Sequence, residues 1–307
     1  MKVSSAYLFN RAVEQMGTVQ EKLSKTQAQM SQGKQVIMAS DAPDQAAAIT
    51  RYKSLIARQD SYQSALDSMN TRLQAEETAL ASVSNLLIRM KELSVQAAND
   101  TLGNTDRKAL ATEMKGLRDQ VLSLANTQDS SGNYLFAGSR VKAPPFAGVN
   151  GASPTYQGDQ SRMQVPVGDQ RSILLNRSGA EVFGRVVRTD SEGTQTGVGF
   201  FEVLDQTIAA VEQSSRPGMQ RGMGELEQLL SGIDLTRAQI GTDQNVLQAQ
   251  QDIVTDTTLT LKNVLSGVED LDYAAAVSKL NQQTLALQAA QSSFAKVSQL
   301  NLFNYLN

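Results

Sequence analysis

The chain has 307 residues, with 28 Lys and Arg against 31 Asp and Glu, for a formal net charge of −3. That balance gives no electrostatic case for nucleic acid, whose binding needs concentrated Lys and Arg, and does not favour an anionic membrane surface. His and Cys are both absent, which removes disulfides, thiol nucleophiles, Ser-His-Asp catalysis and ordinary zinc sites. Hydrophobic content of 40% supports a folded core, while aromatic content of only 5% and the lack of Trp suit narrow helical seams filled by Leu, Met and Ala.

Met1 to Arg11 lacks the apolar stretch of a cleaved signal peptide, and no run is long and apolar enough for a membrane span. If the protein leaves the cell, it is expected to use a route that does not read such signals.

A first helix is predicted over residues 5–38, with Phe9, Met16, Leu23, Met30 and Ile37 as its single apolar column. Strict seven-residue spacing keeps one stripe facing a neighbouring helix, as in coiled coils. Gly33 and then Ser40-Asp41-Ala42-Pro43 mark a break and restart, with Ser40 or Asp41 as cap and Pro43 in the first turn. A second helix is predicted from Asp44 to Asn99. Its seam steps by three and four through Leu66, Met69, Leu73, Leu80, Val83, Leu87 and Met90, interrupted by Gln59, Glu76 and Ser94. At 1.5 Å per residue it spans about 80 Å. Glu76 is expected where that seam opens to solvent. After Leu102-Gly103-Asn104, Thr105 is expected to cap a third helix over Asp106–Gln128, forming an antiparallel hairpin with the second.

From Asp129 to Phe200 the texture changes, with about half of all the Gly and four of the Pro (Pro144, Pro145, Pro154, Pro166). Short apolar runs at 163–167, 172–175 and 182–187, separated by turn residues, predict a small antiparallel β domain. Helix resumes over Phe201–Gln213, and Arg216-Pro217-Gly218 is expected to break it. A long helix over Gly224–Val268 carries the column Leu226, Ile233, Ile240, Leu247, Val254, Leu261, Val268, beside a mainly polar one through Leu230, Arg237 and Gln244. A last helix from Leu271 to Leu306 carries Leu280, Leu287 and Phe294.

The fold class read from these residues is mainly α with a small β domain. The N- and C-terminal regions form a long antiparallel helical bundle or coiled coil around a central antiparallel β insertion. Candidate chemistry is thin. Gly197-Val198-Gly199 reads as a β-turn or sheet edge, since a phosphate loop needs a further Gly and a basic residue. Glu76-Glu77 and Asp270 with Asp272 read as solvated helix faces. No catalytic, cofactor-binding or metal-binding residue is assigned, and the chain is expected not to be an enzyme. Met16 and Met30 have no obvious partner except another terminus, so self-association through Phe9, Met16, Leu23, Met30, Ile37, Leu280, Leu287 and Phe294 is expected.

Several strings, in this order along the chain, resemble the bacterial flagellin superfamily. Gly33-Lys34 with Ser40-Asp41-Ala42-Pro43 is similar to the segment between its first two helices, although Ala42 stands where a second acidic residue is common. Lys91-Glu92-Leu93-Ser94-Val95-Gln96-Ala97-Ala98-Asn99 matches the end of its long helix. Asn133-Tyr134-Leu135-Phe136-Ala137-Gly138 resembles the turn leaving the helical domain in the hook–filament junction branch, and Asn133, Tyr134, Phe136 and Gly138 carry that motif. Tyr156-Gln157-Gly158-Asp159 resembles the opening of the β domain, and Arg237, Gly241 and Asn245 sit at the spacing of the C-terminal helix.

The resemblance implies a structural component of the flagellum that joins hook to filament as a ring, with filament flagellin or a type III secretion tip-like structural protein as alternatives. It implies a terminal assembly domain (1–40 with 270–307), a helical rod domain (41–139 with 200–269) and an outward β domain (140–199). Implied partners are further copies, the inner hook-associated junction protein, hook protein or flagellin as axial neighbours, and a cytosolic export chaperone at the last helix. No nucleic acid, membrane or cofactor is implied. Export through the flagellar type III route would place the protein in the extracellular flagellum.

Overall fold

A computed structural model describes residues 2–148, 152–174, 176–189 and 194–303. Its helices are α1 (Lys2–Gln32), α2 (Pro43–Ala97), α3 (Asn104–Ala125), α4 (Gly179–Val182), α5 (Phe200–Glu212), α6 (Arg216–Glu269) and α7 (Tyr273–Phe303). Its strands are β1 (Phe146–Ala147), β2 (Thr155–Tyr156), β3 (Gln164–Pro166), β4 (Ser172–Leu174), β5 (Val186–Thr189) and β6 (Gln195–Val198). The fold is mainly α with small antiparallel sheets, as the residue pattern predicts. The contacts divide the chain into two compact units, residues 1–60 with 256–307 and residues 61–255.

The second unit owes its core to the three-and-four stepping of the long helices. On α2, Leu66, Met69, Leu73, Leu80, Val83, Leu87, Met90 and Ala97 are all buried. On α6, Leu226, Ile233, Ile240, Leu247 and Val254 are buried every seventh residue. The second buried column of α6 is Leu229, Thr236 and Gln250, one residue earlier than the polar column expected through Leu230. Arg237 in that expected column instead reaches out to Glu77 at 2.9 Å. Helix α3 packs beside α5, and Arg118 donates to both oxygens of Asp205 at 2.9 and 3.1 Å. Seating on the buried stripe predicts that Ile240→Ala costs about 2–5 kcal/mol, whereas Leu235→Ala, 62% exposed on the same helix, stays within about 0.5 kcal/mol. Denaturant unfolding of the two variants checks this, and equal losses would contradict the assignment of the faces.

Several boundaries differ from the expected ones, for local reasons. Helix α1 ends at Gln32 because Gly33 adopts φ +67°, so Ile37 lies on the connector and not on the helical column. Neither Ser40 nor Asp41 caps α2; the Asp41 carboxylate accepts from Met38 N–H and from Lys25. Pro43 does open α2, where its missing N–H is not needed. Helix α3 starts at Asn104, with the Asp106 carboxylate accepting from Gly103 N–H at 3.2 Å, so Thr105 is inside the helix. Pro217 does not break a helix. It sits in the first turn of α6, and the break is Ser214, at φ +54°.

Among the described residues, the β region holds three separate two-stranded antiparallel ladders, β1–β2, β3–β4 and β5–β6. Aromatic packing joins this region to the helices. Phe183 meets Phe136 and Phe146 edge-on at 5.4 and 5.2 Å, and Phe146 meets Phe201 of α5 at 5.2 Å.

Candidate functional site: the terminal helix pair and the motif turn

In the first unit, α1 and α7 pack against each other. The Phe9 and Phe294 rings lie 5.0 Å apart, and the Tyr273 hydroxyl donates to the Met30 carbonyl at 3.2 Å. The pair is therefore antiparallel. The two contacts are three heptads apart on each helix, so the same register sets Met16 opposite Leu287 and Leu23 opposite Leu280. The two apolar columns are thus one seam.

That seam is only half covered. Met16, Leu23, Met30, Leu280, Leu287 and Phe294 are all half-buried, and Phe9 is exposed. Among the described side chains of the two helices, only Thr26 and Ala276 are buried. Tyr7, Val13, Val277 and Leu285 add exposed apolar surface, with Leu285 at 68%. Two helices alone shield one side of a stripe, and three or more are needed to enclose it. Gln283 on α7 has its amide oxygen covered and unbonded among the described residues, a cost of about 1–3 kcal/mol. The same half-burial marks Tyr52, Leu55, Leu261 and Val268 on the parts of α2 and α6 within this unit.

In the second unit, the string 133–138 forms a tight turn held from all sides. Asp129 accepts from the backbone N–H groups of Ser131 and Asn133 at 2.8 and 2.9 Å, and from the Asn133 amide at 3.3 Å. Tyr134 is half-buried, and its N–H donates to the Val141 carbonyl at 2.9 Å. Phe136 is fully buried, and its carbonyl accepts from Gly179 N–H at 2.7 Å. Gly138 has φ +70°, and a Cβ there would lie 2.3 Å from the Asp159 carbonyl oxygen. The Tyr156 hydroxyl lies 2.6 Å from the same oxygen. The Asp159 carboxylate accepts from the Ser139 hydroxyl and backbone N–H and from Ser161 N–H, which together hold its pKa down to about 2. The two quoted strings, 133–138 and 156–159, are therefore halves of one interlock.

Arg72 of α2 ties this turn to the bundle by donating to the Leu135 carbonyl. It also donates to Glu76 at 3.2 Å. Glu76 is fully buried, which overturns its expected place at a solvent opening. Its second oxygen lies 3.5 Å from Arg177 Nη1, without hydrogen-bond geometry, and Arg177 in turn pairs with Asp243 of α6. Burial pushes the Glu76 carboxyl up to about 7, against the opposing pull of Arg72 and Arg177. The other carboxylates singled out above are structural too: Asp270 accepts from Ser266, and Asp272 caps α7 through Ala275 N–H. Gly197 lies in β6, and Gly199 immediately precedes α5. No helix of the described residues is long and apolar enough to cross a membrane.

The model of the bacterial flagellin N-terminal helical region matches residues 3–141, and that of the C-terminal helical region matches 223–306. The chain belongs to the flagellin superfamily. Within it, the chain is 28% identical over 316 residues to flagellar hook-associated protein 3 of Escherichia coli (strain K12), covering 99% of each chain. Flagellin of Listeria monocytogenes is 22% identical over 299 residues, covering 97% of this chain and 96% of that one. The crystal structure of flagellar hook-associated protein 3 from Legionella pneumophila has the same fold, with a TM-score of 0.66 at 17% identity over 72% of this chain and 98% of that one. This chain is a flagellin-like structural protein and not an enzyme.

Proposed function

We propose that this chain is the adapter joining hook to filament in the bacterial flagellum, and that it self-assembles into a ring through α1 and α7. The observation that carries the reading is the half-covered seam of Phe9, Met16, Leu23, Met30, Leu280, Leu287 and Phe294. Ile37, half-buried on the connector, is proposed as a further member of the assembly surface. Burial contributes about 25 cal/mol per Å², and ordering the backbone costs about 1–2 kcal/mol per residue. A seam covered on one side is marginal by that comparison, and neighbours that enclose it tip the balance. Folding of the ends is then coupled to assembly, which suits passage through a narrow channel and setting at a growing tip.

Likeness to hook-associated protein 3 across 99% of the chain supports the junction role over the filament role. Residues 1–40 with 270–307 would form the assembly domain, 41–139 with 200–269 the rod, and 140–199 an outward module. The partners proposed are the inner hook-associated junction protein, with hook protein or flagellin as axial neighbours, and a cytosolic chaperone on α7 before type III export without a cleaved signal. Filament flagellin is the second reading, favoured by the 22% identity to a flagellin over nearly the whole chain. Abundance along the filament separates the two.

The test is truncation. Deleting residues 1–37 or 280–307 is expected to abolish ring formation, read by electron microscopy and sedimentation, while residues 61–255 keep their helical circular dichroism. A truncated chain that still links hook to filament would sink the proposal.

A further inference from the structure

Three arginines from one short stretch of sequence, Arg162, Arg171 and Arg177, converge on a notch of about 350 Å³ between the β3–β4 hairpin and α6. Like charges repel, so this convergence has to be built, and a separate device holds each group. Asn176 is buried and accepts from Met163 N–H at 2.7 Å while donating to the Ser161 carbonyl at 3.1 Å, which fixes the backbone on both sides of Arg162. Gln250 of α6, also buried, holds Arg171. Its amide oxygen accepts from Arg171 Nη1 at 2.8 Å, and its amide nitrogen donates to the Val167 carbonyl at 2.9 Å. Asp243 of α6 and the buried Glu76 hold Arg177.

The charge gathered there is only partly answered. Arg177 has its acids, and Asp243, the one acid of the lining, is committed to it. Among the described residues, the Arg171 guanidinium makes a single hydrogen bond, and its acceptor is a neutral amide. Arg162 reaches Glu181 at 2.8 Å, but both side chains are nearly half exposed, where such a pair is weak. A guanidinium carries several N–H donors in a rigid fork that matches the oxygens of a carboxylate or phosphate. The notch therefore offers open, positioned donors and unbalanced positive charge on a chain whose net charge is −3. Its lining also presents apolar surface, with Leu174 45% and Val246 37% exposed. The volume lies at the small end of ligand pockets, which run from about 300 to 1,000 Å³.

We propose that this notch is a binding site for a small oxyanion, a carboxylate or phosphate carried on a body of monosaccharide size. Arg171 and Arg162 take the oxyanion, and Leu174 and Val246 take the C–H face of the body. Arg177 is a positioning residue that keeps Asp243 from occupying the other two.

Saturation-transfer NMR on the full chain at low ionic strength tests this, with glucuronate and glucose-6-phosphate as probes and glucose as the neutral control. The expected result is transfer to the anions with a Kd on the order of 1 mM, and none to glucose. Transfer to one anion alone would support the site and identify which oxyanion it takes. Arg171→Gln is expected to weaken binding about tenfold and Arg162→Gln about threefold, with far-UV circular dichroism unchanged. Arg221→Gln, exposed elsewhere on α6, makes the same change in net charge and is expected to stay within about twofold of the parent. Transfer to glucose equal to that of the anions, or no transfer at all, would overturn the proposal. Equal weakening by Arg171→Gln and Arg221→Gln would overturn it too, because the attraction would then be to diffuse charge. The measurement needs no ring, so its failure would leave the junction reading intact, and loss of ring assembly would leave the anion site intact.

Discussion

Gly138→Ala is expected to destabilise residues 61–255 by roughly 3 kcal/mol or more, while Gly132→Ala costs only about 1–2 kcal/mol. Both glycines have a positive φ, +70° and +72°, so both substitutions pay the left-handed strain of an L side chain. They differ in what the new methyl meets. At Gly132 nothing lies within 4 Å. At Gly138 the methyl would come within 2.3 Å of the Asp159 carbonyl and of its carboxylate. Asp159 cannot yield cheaply, because its carboxylate is committed to Ser139 and Ser161 and its carbonyl to Tyr156. Moving it would pull the Tyr156 ring away from Phe146, 5.4 Å distant, and disturb the aromatic cluster beneath. Equilibrium unfolding of the two variants separates strain from crowding. Equal losses would show that the interlock between the two strings contributes nothing.

The same interlock marks the limit of what the sequence discloses. The α6 column from Leu226 to Val254 was legible because a seven-residue period translates directly into one buried face, and all five positions are buried. The register of α1 on α7 was not legible from either column alone. Both columns step by seven, so any shift by a heptad is equally good until one contact, here Phe9 on Phe294, fixes the rest. Pro217 reads as a breaker because proline punctuates helices, yet the same residue is favoured in a first turn, and only the backbone at Ser214 decides between them. Glu76 was misplaced for a similar reason. A lone acid in an apolar seam reads as a gap; Arg72, one turn away, is visible as an ion-pair partner, but the burial of the pair and the approach of Arg177, far along the chain, are not encoded locally. The string 133–138 could be recognised as a motif, but its physical reason is Asp159, a contact that no local pattern encodes.

Glu76 also gives the chain an unusual response to pH. In the unfolded chain its carboxyl titrates near the ordinary value of 4.5, and in the fold burial holds it at about 7. Below 4.5 both states carry the proton, and the full stability is present. Between 4.5 and 7 the unfolded chain releases the proton while the folded one keeps it, so stability falls as pH rises. Above 7 both are ionised and the loss is complete. At 1.36 kcal/mol per pH unit, the total loss is on the order of 3 kcal/mol. The other shifted carboxylates, Asp41, Asp129, Asp159 and Glu269, all move down, so their contributions are lost only below the ordinary carboxylate range. The chain has no His, and the raised Glu76 carboxyl gives a falling contribution to stability between about pH 4.5 and 7. Glu76→Gln, which mimics the protonated form and can still accept from Arg72, is expected to flatten stability across that window. At pH 8 it should exceed the parent by up to about 3 kcal/mol. Denaturant unfolding at half-unit pH steps reads this directly, and a constant difference between parent and variant from pH 5 to 8 would show that Glu76 is already ionised in the fold, with Arg72 and Arg177 outweighing its burial.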